Sequence, residues 1–203
     1  MATTPHKTQT ANADDNLLRR HPWVLRLPMA IGLLALMGVL GRRVPGLGPA
    51  IIYLSGWVIV PHVFLGVWVF VRHLKATTPA HTVLDTLAFC FLCFGVLSFR
   101  STAAWCAWFG AVFTLAIVKY VMVTQTDIAP ELKRYAREKI LLESPAVLLF
   151  FLAAFTTFRL PEDAAMHRVL ELAILLSSAG FAVYMIFVRR AYHKVVKAAK
   201  EAA

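Results

Sequence analysis

The sequence predicts an all-α membrane protein. It reads as a polytopic bundle of six transmembrane helices, with both termini cytoplasmic and a short amphipathic cytoplasmic helix before the fifth span. Three observations carry this. First, 59% of the 203 residues are hydrophobic, only 16% are charged, and the mean hydropathy is +0.67. Soluble domains carry about a quarter charged residues, and a fold this small cannot hide so much apolar surface from water. Second, the apolar residues gather in six runs without the alternation that a barrel needs. Third, Lys and Arg are unequally divided between the segments that join those runs.

Residues 1–22 form a polar and basic tail, rich in Thr, Asn and Asp, with no apolar face to bury; disorder is expected there. The six-helix domain is placed at 23–188. Helix 1, about 24–41, is the weakest, since its uninterrupted apolar core runs only from Leu27 to Gly41. A span needs ~20 residues, so Arg26 must snorkel to the interface and the helix must begin near Trp23. Gly41-Arg42-Arg43-Val44-Pro45 follows it instead of a small-x-small cleavage site, so this helix is expected to stay on the protein. Helix 2, about 49–71, is interrupted by Pro61-His62. Helices 3 and 4, about 82–99 and 102–123, form a tight hairpin around Arg100-Ser101.

After helix 4, Asp127, Pro130 and Glu131 read as a helix start. Leu132, Tyr135, Ala136 and Ile140 then share a face, and Arg134/Glu138 and Lys139/Glu143 are spaced i, i+4. This is a basic amphipathic helix over 130–141, suited to the inner membrane surface. Ser144-Pro145 can cap and open helix 5 (142–158) separately; the alternative is one helix that simply extends helix 5 backwards. Helix 6 covers about 168–188, and 189–203 is a basic cytoplasmic tail. Trp23, Tyr53, Trp105, Trp108 and Tyr184 fall near proposed span ends, where amphipathic rings prefer to sit.

Orientation follows the Lys/Arg excess. With six spans, fifteen Lys and Arg lie on the side of the termini and five (Arg42, Arg43, Arg100, Arg159, Arg168) on the other. Without helix 1 as a span the split becomes nine against eleven and the asymmetry vanishes. The expected location is a bacterial cytoplasmic (inner) membrane. The net charge of +10 does not point to nucleic acid, because the cations sit between apolar runs and form no aromatic-interleaved patch. Their expected partners are anionic lipid headgroups at the cytoplasmic face, with a homo-oligomer or a membrane-complex partner beside them.

Four residues are candidates for a pathway or binding site. Pro61 frees the carbonyl of Trp57 in helix 2, next to His62; together they can line a polar path, or simply kink the helix while His62 bonds a neighbour. Asp85 and Lys119 match in depth across the helix 3–helix 4 hairpin and can form an intramembrane pair at a gate. The plainer reading has Lys119 snorkelling and Asp85 favoured by the helix dipole. The other six histidines fall in tails or at interfaces, so a bis-histidine haem site lacks a second ligand. Cys90-Phe91-Leu92-Cys93 has redox spacing but lies mid-helix among Phe residues, and packing explains it better. No catalytic, cofactor or metal motif emerges. Cys106, Gly110 and Thr114, with Ala107 and Ala111 beside them, form small-residue rows on helix 4 suited to close helix packing.

Three functions fit these features. The first is a small transporter or channel for a small solute, ion or proton. The second is a non-catalytic subunit or assembly factor of a larger membrane complex. The third, a membrane-embedded enzyme acting on lipid or quinone, lacks a catalytic set. The topology makes its own prediction: reporter domains fused after Arg43 and after Lys75 should report opposite sides of the membrane, outside and inside. An inner location for the first would overturn the six-span order.

Overall fold

The computed structural model describes residues 23–43, 50, 53–64, 79–127, 130–160 and 165–184, and every described element is helical. Among the described residues there are six helices: α1 (Trp23–Gly41), α2 (Tyr53–Phe64), α3 (Pro79–Leu97), α4 (Thr102–Gln125), α5 (Pro130–Arg159) and α6 (Ala165–Val183). Four of them, α3 to α6, are long and apolar enough to cross a membrane. The tails at 1–22 and 189–203, the loop carrying Arg72 and Lys75, and residues 65–71 of the expected second span lie outside the described residues.

Local chemistry sets the helix ends. Pro79 and Pro130 open α3 and α5 at the position where a missing N–H costs nothing. Ser101 caps α4: its side chain accepts a hydrogen bond from the Ala104 N–H at 3.2 Å. The α3–α4 hairpin therefore turns where the sequence places it. At the same end of the bundle the Tyr53 hydroxyl donates to the Val96 carbonyl at 3.4 Å, setting the start of α2 beside the end of α3.

One difference from the sequence reading is structural. The segment at 130–141 and helix 5 form one 30-residue helix with Pro145 inside it. Ser144 does not cap a new helix; its Oγ donates back to the Ile140 carbonyl at 2.6 Å. The reason lies in the burial pattern. Ala136, Lys139, Glu143, Phe150 and Ala153 are all buried, at spacings that keep one helical face across Pro145. The opposite face is lipid-like from Leu141 (75% exposed) to Phe158 (77%). A break at Pro145 would rotate one half of that stripe out of the core.

The core is centred on α4, which packs against both α3 and α5. Trp105 stacks on Phe109 at 4.0 Å and Phe113 on Phe150 at 5.6 Å, with Leu33, Met37, Leu92 and Ile174 around them. Trp105 (2% exposed) and Tyr53 (4%) thus serve the core and not an interfacial belt; proximity to a helix end set their depth, but not which way they face. Of the small-residue rows, Cys106 and Gly110 are buried, Ala107 and Ala111 are half-buried, and Thr114 is exposed with its hydroxyl donated to the Gly110 carbonyl at 2.9 Å. α6 lies to one side, packed mainly on α5.

Gly95 and Gly110 admit aromatic rings at close approach. A Cβ on Gly95 would lie 2.7 Å from the Phe109 ring, and one on Gly110 would lie 3.3 Å from Phe150 Cβ and the Phe151 ring. A Cβ on Gly180 meets nothing within 4 Å. Gly95→Leu should therefore cost ~1–3 kcal/mol by overpacking, and Gly110→Leu should also destabilise. Gly180→Leu should be neutral or stabilising, since Leu gains about 1 kcal/mol in helix propensity over Gly. Thermal unfolding midpoints in detergent micelles would check the order of the three.

Candidate functional site

A charged cluster is buried between α2 and α5. Lys139 (1% exposed) and Glu143 (2%) are one turn apart on α5, and Lys139 Nζ lies 2.5 Å from Glu143 Oε1. His62 of α2 completes the group: its Nε2 is 2.6 Å from Lys139 Nζ and 3.3 Å from Glu143 Oε1. Two nitrogens at 2.6 Å leave room for one proton between them. The bond therefore holds a single proton, donated by one nitrogen and accepted by the other. Glu143 Oε1 faces both and stabilises whichever carries the charge. Glu143 Oε2 is buried with no hydrogen-bond partner among the described residues.

Aromatic rings enclose this cluster. Phe181 of α6 meets the His62 ring edge-on at 4.7 Å and lies 5.0 Å from Lys139 Nζ, while the Tyr120 ring of α4 is 5.9 Å from the same nitrogen. Ring faces attract the ammonium and supply part of what lost water would have provided. Pro61 precedes His62 within α2, so the carbonyl one turn back, at Trp57, receives no N–H from position 61.

The second candidate pair meets as its spacing implies. Lys119 Nζ lies 2.5 Å from Asp85 Oδ1, with side chains 6% and 17% exposed. His81, one turn before Asp85, is 2% exposed and within electrostatic reach of both. A water-sized cavity of ≈ 30 Å³ is lined by members of both groups, Asp85 and Lys119 together with His62 and Glu143, and by Tyr120 and Phe113. A second cavity of ≈ 70 Å³ lies across His62 and Glu143, towards Ser177, Ser178 and Phe181 of α6. The structure thus brings His62, Asp85 and Lys119 around shared space; Pro61 is adjacent but lines neither cavity.

Lys139 and Glu143 are the residues the sequence reading missed as site members. It placed them as a surface i, i+4 pair and left His62 alone in the membrane. Their position on the same stripe as Ala136, Phe150 and Ala153 was the available signal. His81 and His167 are likewise buried, at 2% and 5%, where interfacial positions were expected. The three cysteines are free thiols, with Cys90 exposed and Cys106 buried. Among the described residues no three His, Cys, Asp or Glu side chains converge as metal ligands.

Comparison of the chain with protein-family models, with characterised proteins and with solved structures finds no match. The site is therefore read from its own geometry.

Coupling within the cluster is measurable. Removing one partner of a buried pair strands the other charge and costs ~3–5 kcal/mol. Lys139→Met and Glu143→Gln should each destabilise the protein on that scale. The double variant Lys139→Met/Glu143→Gln should lose less than either single change, because no charge is stranded. Additive losses in denaturant unfolding from micelles would show that the two side chains do not interact.

Proposed function

We propose that the protein is a small polytopic carrier of protons across a membrane. The observation that supports this reading is the water-sized cavity joining two buried, charge-balanced groups, Asp85–Lys119 and His62–Lys139–Glu143. Ionisable side chains within a membrane segment are costly to hold there and mark ion or proton pathways by default.

Size and charge narrow the cargo. A cavity needs about 10–15 Å³ of this measure per water, so ≈ 30 and ≈ 70 Å³ admit a few waters and no bulky solute. Each group pairs one lysine with one carboxylate, so neither leaves a net charge to hold a metal cation or an anion. A proton needs only titrating groups within reach of one another. In this mechanism Asp85 exchanges a proton with water in the first cavity. It passes to Glu143 and then into the Lys139–His62 bond, which holds one proton. When a second arrives, imidazolium and ammonium repel, Lys139 Nζ swings away, and His62 Nε2–H turns to Glu143 Oε1.

The finer topology belongs to the same reading: six spans, both termini cytoplasmic, in a bacterial inner membrane. Arg134 (side chain 81% exposed) and Arg137 are exposed on α5 two turns and one turn before the lipid-like face begins at Leu141. That boundary suits a surface-lying basic turn against anionic headgroups, with Glu143 about half a turn past it.

Purified protein in liposomes should collapse an imposed pH gradient. The rate should fall at least tenfold in His62→Ala and in Glu143→Gln, while Arg134→Gln conducts like the wild type. Absence of flux in the wild type, together with co-purification of one fixed partner, would replace this reading with that of a subunit of a larger complex.

A further inference from the structure

The inner cluster leaves two buried polar groups unexplained at the other end of the bundle. His167 and Glu171 of α6 are each 5% exposed, and they lie one turn apart on one face. The same face continues through Ile174, Ser178 and Phe181 at spacings of three, four and three residues. It therefore runs from His167 to the ring that covers His62, a rise of ~21 Å along the helix. Ser178 and Phe181 line the second cavity, and Ile174 (1% exposed) packs in the aromatic core.

His167 Nε2 is buried without a hydrogen-bond partner among the described residues, and so is the indole N–H of Trp105 on α4. The groups whose fields reach Glu171 are His167 and Arg168 on α6 and the Cys106 thiol, next to Trp105, on α4. No ion pair or hydrogen bond holds the Glu171 side chain among the described residues. A buried carboxyl and a buried imidazole with open bonding capacity, one turn apart, are a pair that can take up and release a proton together with a water.

Resting on the proton-carrier reading, we propose that His167 and Glu171 form a second proton-exchange site at the end of the bundle where α3 turns into α4. On α6, Ile174 separates it from Ser178 and Phe181, which line the cavity beside the His62–Lys139–Glu143 cluster. The ligand is a proton, delivered from water on that side. The two sites are then the opposite ports of one path, and α6 carries the outer port and one wall of the inner cavity.

The test has two arms on the full chain in liposomes. Dicyclohexylcarbodiimide reacts with carboxyls in apolar surroundings that can carry a proton, and mass spectrometry locates the adduct. Glu171 should be labelled, more at acid than at alkaline pH, and His167→Gln should change that pH profile. In the flux assay Glu171→Gln should fall at least tenfold and Glu171→Asp should stay within threefold of the wild type. An unlabelled Glu171, or a Glu171→Gln protein that conducts normally, overturns the second site. If the wild type itself carries no protons, the carrier reading fails alone, and labelling still decides whether the site exchanges protons. If Glu171→Gln does not fold, labelling of the wild type decides.

Discussion

The Lys139–Glu143 ion pair constrains the rest of this molecule. A lysine and a glutamate at 1% and 2% exposure, in a bundle read as surrounded by lipid, are tolerable only if each satisfies the other. That requirement fixes the rotation of α5, because both side chains must face inwards. It also fixes α2, which brings His62 to the shared proton, and α6, whose Phe181 closes over the group. The aromatic core at Trp105, Phe109, Phe113 and Phe150 then fills what remains between α4 and α5. Hydrophobic packing alone would not specify this rotation, since lipid tails are as apolar as the helix surfaces they touch.

A division of labour follows along the helices. Towards the α3–α4 turn, contact is close: Gly95 and Gly110 admit rings within van der Waals distance, and Trp105 stacks on Phe109. Towards the other end, packing opens into two small cavities lined by charged groups. Ring stacking and glycine contacts supply most of the packing, so the bundle tolerates imperfectly satisfied polar atoms at both ends, Glu143 Oε2 at one and His167 Nε2 at the other. Buried unsatisfied polar atoms are expensive and uncommon, and they concentrate where function needs them.

Much of this was legible in the sequence, for identifiable reasons. The hairpin at Arg100-Ser101 announces itself because a polar cap interrupts two long apolar runs. Asp85 and Lys119 could be paired because that hairpin is short, so depth on one helix maps onto depth on the next. Cys106 and Gly110 mark a close approach because small residues recur at one helical spacing. The Lys139–Glu143 pair was not legible because charge, in isolation, reads as exposure. Tyr53 and Trp105 lie near helix ends as expected, but position along a helix says nothing of azimuth, and both face the core. For Lys139 and Glu143 the remedy is in the sequence: extending the apolar stripe of α5 through Pro145 puts them on the same meridian as Ala136 and Phe150.

The exact balance of charge in the two buried groups has an electrical consequence. A transmembrane potential does work on net charge, at about 2.3 kcal/mol per elementary charge for each 100 mV crossed. Each group pairs one lysine with one carboxylate, so when their charges balance voltage turns a dipole there but drives no displacement. Only the state holding one extra proton carries a monopole. In the proton carrier proposed above, the two resting groups would be electrically quiet, and the field would act on the carried proton while leaving those side chains in place.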